Sequence, residues 1–354
     1  MSSRPADVVV SPPTTLPTEE MSPRLKLMLL ANGQRISAVI CALAEVDVAA
    51  HLVDGPRPVD ELARLTGCHA PTLYRLMRVA AMFGVFDEVR PRWFALTELG
   101  DGLRSDLPDG VREAILLDGS PYFWQSFGHL LTTLRTGRTA FQEMTGTSFW
   151  AYLDAHPEES RRFDAAMTVM SRRLGRMYLE RFDFGTFHRV ADIGGGAGYF
   201  LAALLARYPQ AYGVLFDRPA VVAGAEPVLR AHGVADRVSL MAGDFFVGPL
   251  PGECDLYLLK NVLHDWPDED AVRILRQVRA AIGDRAARLL ILEQVVEPGN
   301  QWDPAKLLDI DMLVVFGGRE RTVAEWRELL AAGGFALTGD PVVGDWAVIS
   351  AEPR

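Results

Sequence analysis

Val190-Ala191-Asp192-Ile193-Gly194-Gly195-Gly196-Ala197-Gly198-Tyr199-Phe200 decides how this chain is read. An apolar run ends in an acid, a glycine-rich turn follows, and an apolar helical pattern begins. The expectation is a strand, a tight loop and a helix. Glycines let backbone approach a ligand closely, and Asp192 at the strand end can hold a polar group. A dinucleotide fingerprint spaces its glycines G-x-G-x-x-G. Here the spacing is G-x-G-x-G, which fits an S-adenosylmethionine site better. A glycine turn alone is weak evidence, because such turns also join strands to helices where no ligand binds.

Two further acids add weight. Tyr212-Gly213-Val214-Leu215-Phe216 reads as the next strand and ends in Asp217. An acid about 20 residues past the loop is placed to accept from ribose hydroxyls. Its bland alternatives are a solvated carboxylate or a helix cap ahead of Pro219. Val238-Ser239-Leu240-Met241 then leads into Gly243-Asp244-Phe245-Phe246. Asp244 can accept from an adenine amino group and Phe245 can stack on the ring, while Phe246 reads as core. Three acids at three strand ends along one sheet edge are more specific than any one of them.

The 354 residues suffice for two domains and a sizeable core, and 49% hydrophobic residues mark an ordinary globular chain. A net charge of −10 argues against nucleic acid or an anionic membrane as partner. Cys41, Cys68 and Cys254 form neither a disulfide framework nor a zinc spacing, so the chain reads as intracellular and cytoplasmic. No signal peptide is visible, and residues 1–20, rich in Ser, Pro and Thr, read as a disordered tail. The apolar run Ala38 to Ala44 is too short to span a bilayer.

Pro23 to Leu52 is helical and apolar. Pro58 to Arg78 reads as a helix-turn-helix, followed by two strands of a wing at Gly84–Glu88 and Trp93–Leu96. Such a domain invites a DNA-binding reading. From His51 to Gly110, however, there are seven arginines, no lysines and nine acids. Phosphate binding needs a basic face, so a scaffold or dimerisation role is expected. Leu130 to Glu180 is helical and carries Phe149, Trp150, Tyr152, Phe163, Met167 and Met170. These are ordinary core residues that could also wall a flat substrate.

From Arg189 strands alternate with helices: Arg189–Asp192, Tyr212–Phe216, Val238–Met241, Leu256–Lys260 and Arg288–Glu293, then a hairpin of Phe335–Thr338 and Ala347–Glu352 connected from Gly339, Asp340 and Pro341. The expected fold class is α/β, a Rossmann-like doubly wound sheet with ligands beyond the carboxyl ends of the strands. That edge receives Asn261-Val262-Leu263-His264-Asp265-Trp266 after the fourth strand and Glu293 as the last residue of the fifth. Glu320 follows in Gly317-Gly318-Arg319-Glu320. His264 can take a proton from a hydroxyl, although a lone histidine is more often structural. A carboxylate beside it would orient the ring and raise its pKa. Each glutamate could instead pair with Arg319 or Arg321. No metal set is expected, since no third ligand is spaced to join His264 and Asp265.

With these residues in hand, the chain from about Arg24 onward resembles the class I S-adenosylmethionine-dependent small-molecule O-methyltransferases, the plant caffeate and flavonoid, hydroxyindole and bacterial antibiotic-tailoring enzymes. Five motifs carry the likeness in order: Asp192 to Gly198, the strand ending at Asp217, Gly243 to Phe246, Leu259 to Trp266, and Gly317 to Thr322. The resemblance implies a winged-helix dimerisation domain over 21–110, a helical linker and substrate-pocket segment over 111–185, and an S-adenosylmethionine-binding domain over 186–354. It also implies a homodimer with interlocked N-terminal helices. Gly194 and Gly196 would lie against the methionine part of the cofactor, Asp217 would hold its ribose, and Asp244 and Phe245 its adenine, with Asp192 and Lys260 also in the cofactor site. His264 would be the general base, flanked by Glu293 and Glu320. Phe163, Met167 and Asp265 would face a small aromatic acceptor. Asp164 stands where the family often has asparagine. Composition and relatives of this kind suggest bacterial specialised metabolism.

Overall fold

The computed structural model describes residues 21–107, 110–341 and 346–354. The tail of residues 1–20 read as disordered lies outside them. The chain divides into two compact units, one up to Trp124 and one from Gln125. This division falls inside the segment 111–185 that the sequence reading set apart, and most of that segment, from Gln125 on, belongs to the unit with the large sheet.

In the first unit, helix α1 (Pro23–Ala31) is capped by the Ser22 side chain and buries no residue. Helix α2 (Gly33–Glu45) follows after Asn32. Leu27 and Leu30 of α1 are 68% and 77% exposed. Helices α3 (Val59–Thr66) and α4 (Ala70–Met82) form the expected pair, and Gly67 in the left-handed conformation closes α3. The sheet beside them has three strands rather than two. β1 (Arg57–Pro58) joins β2 (Phe86–Arg90) and β3 (Trp93–Leu96) in the order β1-β3-β2. Two residues before a helix carry no periodicity, so β1 was invisible in the sequence. Leu43, Leu62, Leu73, Met77, Phe86 and Phe94 make the core of this unit. No single described helix is long and apolar enough to cross a membrane; α1 and α2 together would be, but they are bent by 42° at their junction.

The second unit is built on a seven-stranded mixed sheet. Its strands are β4 (Arg189–Ile193), β5 (Tyr212–Asp217), β6 (Val238–Ala242), β7 (Leu256–Lys260), β8 (Arg288–Gln294), β9 (Phe335–Leu337) and β10 (Trp346–Pro353), in the order β6-β5-β4-β7-β8-β10-β9. β4 to β8 are parallel, and β10 runs antiparallel to both β8 and β9. Leu289 to Gln294 of β8 are all buried, as in a parallel strand covered on both faces. One face packs on the helices Asp268–Ile282 and Val323–Ala332 through Ile274, Leu275, Val278 and Trp326. The other packs on Pro157–Arg181 and Tyr199–Arg207 through Leu174, Phe200, Leu201 and Leu204. Strand order reverses between β4 and β7. Their carboxyl ends, Ile193 and Lys260, therefore border the crevice where open α/β sheets bind ligands.

Candidate active site

Gly194 and Gly196 have φ of +72° and +62°, a conformation costly for any side chain. The loop is tied to the next strand by Gly194 N–H on the Phe216 carbonyl, 2.8 Å, and by Gly196 N–H on Asp217 Oδ2, 2.7 Å. Asp217 Oδ1 accepts from Arg218 N–H at 2.7 Å. A carboxylate has about four acceptor sites, so Asp217 keeps capacity for hydroxyl donors. A Cβ at Gly194 would lie 2.8 Å from Val262 Cγ2, whereas one at Gly196 would meet nothing within 4 Å. Gly196 is the residue of the two whose missing side chain leaves open space.

Asp192 departs from expectation. β4 runs one residue further, to Ile193, so Asp192 lies inside the strand, fully buried. Neither carboxylate oxygen has a hydrogen-bond partner among the described residues. Burial pushes its pKa up to about 7, with Lys260 opposing and Asp217 adding to the rise. It underlies the loop, since a Cβ on Gly195 would stand 2.6 Å from its Oδ2. Lys260, last in β7, is buried and donates through Nζ to Ser171 Oγ at 3.0 Å. Burial lowers its pKa, against the pull of Asp192 and Glu293. Asp244 is exposed and accepts from Phe246 N–H at 2.8 Å. Phe245 packs edge-on to Phe246 and Trp266, with centroids 4.9 and 5.8 Å away.

An aromatic wall stands beside this edge. Phe163 is buried against Phe149, Trp150 and Phe316 at centroid distances of 5.2, 5.7 and 6.3 Å. Met167 follows one turn later on the same helix. Trp150 stacks on Trp266 at 6.2 Å, and the Arg218 guanidinium, paired with Asp154 at 2.6 Å, lies 5.5 Å from the Trp150 ring. Burial raises the pKa of Asp164, with Arg218 opposing.

The acid–base groups converge from three segments. His264 sits in the 3₁₀ turn Leu263–Asp265 and is buried. Its Nδ1 is 2.6 Å from Glu320 Oε1. Glu293 does not hold the ring: its Oε1 accepts from the N–H groups of Val262 at 3.1 Å and Leu263 at 2.7 Å, which fixes the loop carrying His264. Glu293 Oε2 and Glu320 Oε2 are buried without a hydrogen-bond partner among the described residues. Burial by itself would keep the imidazole neutral, but Glu320 and Asp265 overcome it and push the His264 pKa up to about 10. Asp265 is pushed up to about 7 by burial, with His264 opposing. Ligand atoms of His264, Glu293 and Glu320 lie within 4.8 Å of one another, so the three residues expected together do meet, in a cluster compact enough for a metal ion where spacing along the chain suggested no metal set. One oxygen of each glutamate is already engaged by a protein nitrogen, which leaves one oxygen of each for any further ligand. The glutamates do not pair with the neighbouring arginines. Arg319 pairs with Asp268 and Glu325, and Arg321 with Asp268.

Residues 127–336 match the model of an O-methyltransferase domain, and residues 28–106 match an O-methyltransferase dimerisation domain. The chain belongs to the O-methyltransferase family. The phenazine O-methyltransferase PhzM of Lysobacter antibioticus is 37% identical over 92% of this chain and 95% of its own. The 8-amino-8-demethylriboflavin N,N-dimethyltransferase of Streptomyces davaonensis is 42% identical over 89% of this chain and 91% of its own. The aclacinomycin 10-hydroxylase RdmB of Streptomyces purpurascens is 33% identical over 93% and 89%. Among solved structures, the calicheamicin-biosynthesis methyltransferase CalO1, in its SAH-bound form, superposes with a TM-score of 0.83 at 36% identity, covering 94% of this chain and all of that one.

Within this O-methyltransferase, three positions have roles that the sequence reading did not assign, two of them inside the Gly317–Thr322 motif. Ser171 lies two turns beyond Phe163 and Asp164 on one helix, and helical periodicity could have flagged it. Gly318 approaches the His264 loop so closely that a Cβ would stand 1.9 Å from the His264 carbonyl oxygen. Arg321 is fully buried and donates to the Leu263 and Trp266 carbonyls at 3.1 and 3.0 Å and to Asp268. It clamps the turn that carries His264. Neither of the last two has a local signal, because each acts on backbone more than 50 residues away.

Proposed function

We propose that the protein transfers the methyl group of S-adenosylmethionine to a hydroxyl of a small aromatic metabolite, with His264 as general base. The observation that carries this reading is the buried His264–Glu320 pair at the edge where the glycine loop ends. The same edge suits the cofactor. Open space at Gly196, the spare acceptor capacity of Asp217, and the aromatic edge of Phe245 and Trp266 match a nucleoside and its amino-acid tail. When bound, S-adenosylmethionine supplies an already activated methyl carbon. Asp217 then accepts from the ribose, Asp244 and Phe245 serve the adenine, and Lys260 with Ser171 borders the methionine part. Gly196 leaves room for that part.

The protein's own work is alignment and proton removal. Phe163 and Met167 wall the acceptor ring. Glu320 at Nδ1 fixes the imidazole so that Nε2 takes the hydroxyl proton. The dimerisation-domain match and the uncovered apolar residues of α1 support a homodimer. Relatives named for antibiotic-tailoring steps support specialised metabolism.

The test is incubation with methyl-labelled cofactor and a panel of phenols and arylamines, with His264→Ala as control. Label transfer to a phenol that is lost in the variant supports the reading. A second reading, a tailoring step without methyl transfer, is favoured by the likeness to RdmB. Conversion of an acceptor with no label incorporated would select it.

A further inference from the structure

Glu320 accounts for one nitrogen of His264. The other, Nε2, lies 3.6 Å from Asp265 Oδ1, and the two side chains are only 7% and 12% exposed. That separation is an ion-pair distance and too long for a hydrogen bond. Contacts of this kind tighten when an active site fills. The ring is thus bracketed by carboxylates at both nitrogens. The charged groups around it can be followed element by element. Asp265 comes from the same turn, Glu293 from β8, and Glu320 from the loop after the π-helical turn Met312–Phe316. Asp309 faces Glu320, whose N–H it accepts at 2.8 Å. On the cationic side, Arg321 opposes Glu293 but spends its donors on Leu263, Trp266 and Asp268. Arg319 is engaged by Asp268 and Glu325. This much negative charge around one buried imidazole favours the imidazolium, which has no lone pair with which to act as a base.

We infer that Asp265 is the proton acceptor for Nε2 of His264, completing a carboxylate–imidazole–carboxylate relay in which Asp265 sets the pH at which the base becomes free. The inference rests on the methyl-transfer reading for its catalytic consequence, though not for the titration itself. Once the site fills and the contact between Nε2 and Asp265 closes to a hydrogen bond, the Nε2–H bond breaks and an O–H bond forms on Asp265, which returns the lone pair to Nε2. That lone pair takes the acceptor's hydroxyl proton while the oxygen bonds to the methyl carbon. The carbon–sulfur bond breaks and its electron pair stays on sulfur. One proton per turnover leaves through Asp265 to water with the methylated product. The carboxylates hold the proton on His264 at rest, while burial raises the Asp265 carboxyl above its ordinary value and so brings it nearer to accepting that proton.

The experiment is a nitrogen-detected titration of the full chain, labelled on histidine and loaded with S-adenosylhomocysteine. The His264 signal is identified among the seven histidines by its absence in His264→Gln. Removing the Asp265 charge destabilises the imidazolium, so the His264 midpoint should fall by one pH unit or more in Asp265→Asn. It should stay near the wild-type value in Asp265→Glu. With an acceptor present, the acid limb of kcat/KM should move to lower pH by a similar amount in Asp265→Asn. An unchanged midpoint and an unchanged limb, with only a higher KM for the acceptor, would overturn the relay and leave Asp265 as an acceptor contact. If Asp265→Asn does not fold, carbon labelling of carboxyl groups in the wild-type chain decides. An Asp265 signal titrating in step with His264 supports the relay, and one titrating below pH 5 overturns it. If no acceptor is methylated, the methyl-transfer reading fails while the titration still decides the relay.

Discussion

Gly318 lies against the backbone of His264: a Cβ at this position would stand 1.9 Å from the His264 carbonyl oxygen and 2.4 Å from the Asp265 carbonyl carbon. Next to it, Arg319 N–H donates to that same His264 oxygen at 2.8 Å. The loop delivering Glu320 is therefore docked backbone to backbone on the turn delivering His264, and a single methyl group would push them apart. Gly318→Ala should displace Glu320 from the imidazole. A misplacement near 1 Å costs on the order of 10²-fold in rate. Turnover should fall by about that much while cofactor affinity stays near wild type. Unchanged turnover in a folded Gly318→Ala protein would show that the docking does not matter.

The two glutamates should differ, because they touch different atoms. Glu320→Gln weakens the hold on Nδ1 and removes one charge that favours imidazolium, so the acid limb of kcat/KM should move to lower pH and turnover should drop. Glu293→Gln loosens the Val262 and Leu263 N–H groups and should lower thermal stability more than it moves the limb. His264→Ala should reduce turnover by roughly 10²–10⁴-fold, the usual worth of a general base, with partial recovery at high pH as the phenol ionises on its own. Paired pH–rate profiles and melting curves separate these outcomes.

Asp217 holds the glycine loop through Gly196, and under the proposed function it also takes the ribose. Asp217→Ala removes both functions. Binding of S-adenosylhomocysteine, measured by calorimetry, should weaken by at least about tenfold, the equivalent of one charged hydrogen bond of about 1.5–3 kcal/mol. Gly194→Val should act differently, since its side chain would meet Val262 and must adopt a positive φ. It should cost stability before it costs affinity.

Asp192 is a buried acid whose folded pKa, near 7, exceeds its ordinary value of 3.8. The folded state therefore binds this proton more tightly than the unfolded chain does. Stability from the group is greatest below about pH 4 and is lost as pH rises toward 7. Asp192→Asn should melt close to wild type at low pH and several degrees higher at pH 8, at about 2–4 °C for each kcal/mol recovered. An equal difference at both pH values would contradict the assignment.

Leu27 and Leu30 leave large apolar surfaces uncovered in a single chain, and such surfaces usually mark an interface. Light scattering should give twice the chain mass of 39.0 kDa. The double substitution Leu27→Glu and Leu30→Glu should halve it. A wild-type monomer at micromolar concentration would remove the homodimer.

What the sequence by itself determined is what local patterning encodes. Short apolar runs marked β4 to β8 to within one residue at their ends, and turn glycines marked the loop after β4. The helix pair α3 and α4 was legible because its apolar spacing and Gly67 are contiguous signals. His264 and Glu293 could be placed on one edge, since strand ends in a parallel sheet share an edge, whereas Glu320, which lies before a helix, joined them through the family resemblance. Their division of labour was not legible. Which glutamate meets Nδ1 depends on a register between β8 and a loop that follows it by more than 20 residues, and that register is set by Gly318 and Arg321 docking on distant backbone. The burial of Asp192 likewise depends on one residue of strand length and on the packing above it. Periodicity reports which face a side chain takes, whereas the partner it meets there comes from chain segments that only folding brings together.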